Sequence, residues 1–480
     1  MSSCNRRTFL GLVGAGAATA IMPRARAKPR ANMFKSKRVV VVGIAGGLRL
    51  GESLGMAEGA TMPNLLGRVP LVPGFGAGDA GPVRIAPEYL ANSPTLVVPA
   101  ARTTPLMAQG ALVTNLRYAD GAPGHLQGQA CLISGAYNNI ENRSDAHAPA
   151  PTLFEWHRRS SNAAATDAWY VSVAGGFYRA LQSSAHPEFG PRFGGSFVSP
   201  PSLFSPTIPI ATSGQRSHRF TADDPGLPTV SDPPDEAAAV RRLSAILDTN
   251  TRPYDDAATV FRSTPSENAA VEAHLESFYA NPDYQAYYPR AVGIGLANPD
   301  GSLNGTGDAQ TIYHAERILT KFKPAIMVIT LLDVDVCHDD FNGYLRGQVA
   351  ADACVRHLWD MIQGTPGLKD ETTLLIVPEH GRHLFPNGQN PDSLGRSGVD
   401  HGQGDDGDRD VFLFALGPDI APGQVIARTN VAQEGRASGR YESIDIAMTA
   451  ATLLGHGDTM AATLKSLGMR PGIVVQELLR

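Results

Sequence analysis

The chain has 480 residues, with 41 Lys and Arg against 46 Asp and Glu, so its formal net charge is −5. Apolar residues make up 42% and charged residues 18%, enough apolar chain for a large core and too much for global disorder. The near-neutral balance speaks against nucleic acid as a main partner, because phosphate binding needs concentrated Lys and Arg.

Arg6 and Arg7 precede Thr8, Phe9 and Leu10, an apolar Gly/Ala-rich run follows to Met22, and Ala25-Arg26-Ala27 has cleavage-site spacing. Basic, apolar and small-residue regions in this order form the secretory pattern. The Arg-Arg-x-Phe-Leu string resembles a twin-arginine export signal, so residues 1–27 are expected to be a signal peptide. A basic anchor that stays uncut is the alternative. The export machinery is then an expected partner, and the periplasm or the exterior the expected location. Removal of these residues takes away four arginines and no acids, so the charge of −5 becomes −9. No stretch beyond them reaches the ~18 apolar residues of a membrane span. Cys131, Cys337 and Cys354 remain. One bridge is conceivable, but the three read more simply as small buried apolar residues.

Lys37–Ile44 (KRVVVVGI) has the β-branched character of a buried parallel strand. Similar runs are Leu112–Leu116, Ala168–Val173, Ala325–Leu332, Thr372–Val377 and Val411–Leu416. Helical spacing appears in Thr152–Arg159, in Ala309–Phe322 and in Phe341–Gln363. Strands alternating with helices predict an α/β fold: an open, mostly parallel sheet with helices on both faces. Residues 185–235 are rich in Pro, Ser and Gly, and two amphipathic stretches follow at 236–247 and 266–280. The expected organisation is an α/β domain built from 28–184 and 306–480, with 185–305 as an inserted, loop-rich and helical cap. There is no Walker P-loop, and Gly43-x-x-Gly46-Gly47 is a poor dinucleotide fingerprint.

Five of the 13 histidines fall between 338 and 401. One strand runs into Asp335 and His338, the next into Glu379 and His380, and a Gly-rich loop then carries His401. A right-handed strand-helix-strand unit brings both strand ends to one edge of the sheet, where open α/β folds hold their ligands. Imidazole and carboxylate together suit zinc, manganese or iron. Asp335, His338, Glu379, His380 and His401 are therefore candidate ligands of a divalent metal, zinc or manganese foremost. His357, inside a helix, and His383, past the turn, are expected to be structural.

In the order of its motifs the chain resembles the alkaline phosphatase superfamily, which includes sulfatases, phosphodiesterases and cofactor-independent phosphoglycerate mutases. Asp335/His338, Glu379-His380-Gly381 and His401-Gly402 match its three metal-binding segments. GGLRLGES…ATMPNLLG (Gly46 to Gly67) resembles its opening, Leu132–Gly135 the helix after its nucleophile, and Tyr441–Gly455 its closing helix. The resemblance implies a metal-dependent hydrolase acting on a small anionic phosphate or sulfate ester. A non-catalytic metal-binding relative is the alternative. Three departures stand out. Gly46 replaces the first-strand Asp, Glu379 replaces an Asp, and residues 120–130 contain no hydroxyl or thiol where the nucleophile belongs. His125 in that loop is the candidate catalytic group, as an acid/base or a ligand, with helix capping as the other reading. Asn115 and Arg382 are candidate substrate-binding residues, as are Thr114 at the same strand end and Arg49, with a surface or internal salt bridge as the other reading of each arginine. One of Asp405, Asp406 and Asp408 is a further candidate oxygen ligand.

Overall fold

The computed structural model describes residues 34–54, 105–138, 140, 147–172, 178–190, 193–198, 307–338, 341–383, 401–402 and 405–480. The signal segment 1–27, residues 199–305 of the expected cap with both of its amphipathic stretches, and the opening motif beyond Leu54 lie outside them.

Among the described residues nine strands form one sheet: β1 Arg38–Ile44, β2 Gly110–Arg117, β3 Ala168–Ser172, β4 Ser196–Val198, β5 Ile326–Leu331, β6 Thr372–Pro378, β7 Asp410–Leu416, β8 Gln424–Ile426 and β9 Tyr441–Glu442. Their order is β4-β3-β5-β1-β6-β7-β2-β8, with β9 paired to β2. Among these strands only β7 opposes the rest, pairing antiparallel with both β6 and β2. The other pairings are parallel. β4 falls within 185–305, so part of the stretch assigned to the insertion belongs to the sheet.

β1 sits at the centre because its sequence leaves no polar face. Val39 and Val41 enter one core, and Val40, Val42 and Ile44 enter the other, all at 0% exposure. This is the period-2 alternation of a strand buried on both sides. Each fully buried valine contributes about 1.5–3 kcal/mol. On one face lie α3 (Gly307–Phe322) and α4 (Phe341–Gly364), which contribute Ile312, Ile318, Leu358 and Ile362. On the other lie α1 (His125–Ser134), α2 (Leu153–Ser161), α5 (Asp445–Leu453) and α6 (Gly457–Ser466), through Leu126, Phe154, Ile446 and Met460. The expected α/β architecture is thus the observed one.

Local chemistry sets the helix ends. Thr152 and Glu155 form a capping box at the start of α2, with the Thr152 amide donating to Glu155 Oε2 at 2.7 Å. His357 on α4 lies 2.8 Å from Glu316 on α3, an interhelical tie in keeping with a structural role. The three cysteines are buried and unbridged.

A histidine pair joins α2 to the α5–α6 turn. His157 Nε2 is 2.7 Å from Asp167 Oδ2, and its Nδ1 is 3.4 Å from His456 Nε2. Burial, and next the charge of His157, hold His456 down to about 4. The unfolded chain takes that proton near pH 6.5, so stability from this group is present above 6.5 and is lost as pH falls through 4. His456→Asn is expected to flatten the loss of stability between pH 7 and pH 4 by at most about 3 kcal/mol. Denaturant unfolding at both pH values checks this, and parallel profiles for the two proteins would remove His456 as a source of acid sensitivity.

Candidate metal centre

Because the parallel strands share one direction, their C-terminal ends open on one edge of the sheet. β5 runs into the short helical segment Asp333–His338, which carries Asp335. β6 runs directly into Glu379 and His380. β2 leads through a glycine-rich turn to His125, the first residue of α1, with Gly124 as N-cap. β7 runs the other way, so the segment before it brings His401 to the same edge. Tyr178 follows β3 in the chain. Backbone bonds fix the centre of this edge: the Glu379 amide donates to Ile44 O at 3.0 Å, and the Leu48 amide donates to His380 O at 3.2 Å.

His125, His380 and His401 each turn a ring nitrogen inward, and the three atoms lie within 4.8 Å of one another. The ring centroids are 5.1, 4.8 and 4.3 Å apart. Asp335 Oδ1 is 3.2 Å from Nε2 of both His125 and His401. Glu379 Oε1 is 2.5 Å from His125 Nδ1 and 3.2 Å from His380 Nε2. The hydroxyl of Tyr178 donates to Glu379 at 3.1–3.3 Å.

Burial works against the charged form of His125, but Glu379 and Asp335 overcome it and raise this group to about 10. Burial likewise tends to raise Glu379, yet the charge and hydrogen bond of His125 leave it below the ordinary carboxylate value. His125 is therefore an imidazolium clasped between two carboxylates at neutral pH. A metal ligated by His125 must displace that proton, which makes binding stronger as pH rises.

His380 is fully buried and tests whether the set fits a metal. Its Nδ1 lies 2.8 Å from Gly381 O, the partner that fixes an imidazole tautomer. With the hydrogen on Nδ1, the Nε2 lone pair is left, and this atom makes no hydrogen bond although Glu379 Oε1 is close. A lone pair against a carboxylate oxygen is unfavourable unless a cation serves both. Three imidazoles and two carboxylates suit zinc or manganese.

Of the residues indicated by sequence, Asp335, Glu379, His380, His401 and His125 come together. The ring of His125 joins the imidazole set, while the backbone of Gly124 starts the helix. The backbone of His338 lies in the segment after β5, and its side chain is outside the described residues. Asn115 donates to Gly439 O at 2.6 Å, and Thr114 to Ile426 O at 3.4 Å, which ties both to neighbouring loops. The Arg382 guanidinium is fully buried, 4.2 Å from the ring centre of Tyr344. Arg49 is 5% exposed. Cys131 is buried and pushed up to about 12 by that burial, and Ser134 donates to Ala136 O at 3.3 Å. The sequence does not single out Tyr178, which follows Ala-Gly-Gly-Phe. Its position after a strand ending on the ligand edge was the available signal.

No family model and no curated protein matches the sequence. Solved structures similar to the chain include members of the alkaline phosphatase superfamily. The phosphonate monoester hydrolase of Silicibacter pomeroyi is 13% identical, over 92% of this chain and 76% of that one, with a TM-score of 0.40. Wild-type alkaline phosphatase PafA is 9% identical, over 95% and 100%, with a TM-score of 0.45. An alkaline phosphatase superfamily protein from Vibrio parahaemolyticus is 10% identical, over 88% and 68%, with a TM-score of 0.34.

Proposed function

We propose that the chain is a metal-dependent hydrolase of small phosphate or sulfate esters, acting in the periplasm or outside the cell. The convergence of His125, His380, His401, Asp335 and Glu379 at the ligand edge of the sheet carries this reading. Its location rests on the export-type sequence at 1–27. In keeping with it, no helix among the described residues is long and apolar enough to cross a membrane.

His125, His380 and His401 would hold the metal, with Asp335 and Glu379 as further donors. A divalent cation there supplies a Lewis acid for the ester oxygen and acidifies water. The chain itself orders the donors: Tyr178 anchors Glu379, and Gly381 O sets the His380 tautomer. The loop after β2 supplies an imidazole where the resembled family has its nucleophile. With Cys131 buried as a thiol, we favour direct attack by water over a covalent enzyme intermediate. A second reading, a metal-binding relative without catalysis, is favoured by Gly46, whose backbone leaves no room for the family's carboxylate.

The test is elemental analysis of protein exported and purified without chelator, followed by a screen of aryl phosphate and aryl sulfate esters. One or more equivalents of zinc or manganese with turnover of either class is expected. Metal without turnover across both classes would favour the binding protein, and metal-free folded protein would refute both.

A further inference from the structure

A second cluster of ligating side chains lies outside the centre just described. His383 follows β6, Asp405 caps the single helical turn that leads into β7, and Asp408 lies within that turn. His383 Nδ1 is 3.2 Å from Asp405 Oδ2 and 3.3 Å from Asp408 Oδ1, and one donor atom from each residue falls within a 4.8 Å group. Asp408 is fully buried and His383 is 5% exposed.

Two features separate this group from an ordinary His–Asp pair. One N–H has a single hydrogen, yet Nδ1 is equidistant from oxygens of two carboxylates. A cation bound by all three would serve every one of them. The second feature is the other ring atom: His383 Nε2 is buried and makes no hydrogen bond among the described residues. Coordination through Nδ1, with the ring hydrogen on Nε2, would set a cation between this nitrogen and the two carboxylates. Asp405 is held rigid, since its Oδ1 accepts from the Asp408 amide at 2.9 Å. The same carboxylate is 41% exposed, which gives a path for entry.

We propose that His383, Asp405 and Asp408 form a second divalent-cation site. One nitrogen and two oxygens suit Mn2+ or Zn2+ better than the all-oxygen preference of Ca2+. The site joins the two segments that also supply Glu379, His380 and His401. These segments already touch: the Gly381 amide donates to Asp408 O at 2.7 Å, and a Cβ on Gly381 would meet Gly407 O at 1.9 Å. The second cation would brace this contact without belonging to the ester-binding set.

The test titrates chelator-stripped full-length protein with Mn2+, counting free ion by electron paramagnetic resonance. Asp405→Asn keeps an oxygen for the helix cap and weakens one ligand, and His383→Gln removes the imidazole. Each folded variant, checked by circular dichroism, is expected to bind one equivalent fewer than the native chain. In His380→Ala/His401→Ala the second equivalent should persist, with a pulsed-resonance 14N coupling that disappears when His383→Gln is added. The same Mn2+ count in native, Asp405→Asn and His383→Gln proteins overturns the proposal. Loss of an equivalent only in His380→Ala/His401→Ala overturns it too, and leaves the hydrolase reading standing.

Discussion

His380→Ala is expected to lower metal affinity by at least about 100-fold and to abolish most ester hydrolysis. Loss of an outer-shell partner typically costs 10- to 100-fold in affinity, and an inner ligand should cost no less. His380 is the most constrained of the three imidazoles, being fully buried and set by Gly381 O. His125 and His401 remain in the variant, but they share Asp335 Oδ1 and lose the nitrogen beside Glu379. His125 would then stay protonated between its two carboxylates. The measurement is metal content by elemental analysis and turnover of aryl phosphate and aryl sulfate, with His380→Gln as a control for volume. Undiminished metal loading in both variants would exclude His380 from the ligand set.

Much of the centre is legible in the sequence because parallel strands enforce it. Once β5 and β6 are recognised from ITLL and LLIV, their exits at Asp335 and Glu379-His380 must share an edge. β7 was equally visible, but its reversal was not. That reversal brings the segment carrying His401 to this edge, and the short hydrophobic run VFLFAL holds no record of direction. Pairing across the sheet was also hidden: β1 lies between β5 and β6, so neighbours in sequence are not neighbours in the sheet. Substrate-facing roles were least legible. Asn115 and Arg382 are polar residues near the right strand ends, yet their contacts depend on the Gly439 loop and on Tyr344, both distant in sequence. Tyr178 shows the converse, an aromatic beyond β3 whose hydroxyl matters only because the fold sets it against Glu379.

Gly46→Ala is expected to destabilise the fold by at least about 3 kcal/mol and to disrupt the metal centre. Gly46 has φ +104°, a conformation that L side chains rarely adopt, and its Cβ would stand 2.4 Å from both the N and the Cα of Asp335. Those atoms belong to backbone, so relief requires the whole Asp333–His338 segment to move, and Asp335 with it. The Cys337 thiol, which donates to Gly46 O at 3.4 Å, ties the same segment down. Gly46→Asp, which returns the carboxylate of the resembled family, should fare no better for the same reason. In the proposed centre the longer Glu379 stands in for that carboxylate. Its Oε1 lies 3.3 Å from the Gly46 amide, so a side chain from β6 brings an oxygen to the exit of β1. Shortening that reach in Gly46→Asp/Glu379→Asp is therefore expected not to rescue metal binding, because the obstacle is the Asp335 backbone and not the balance of carboxylates. Thermal unfolding and metal content of the three variants decide the matter. A Gly46→Asp protein with native stability and native metal content would show that the Asp335 segment yields, and that the glycine is not required by packing.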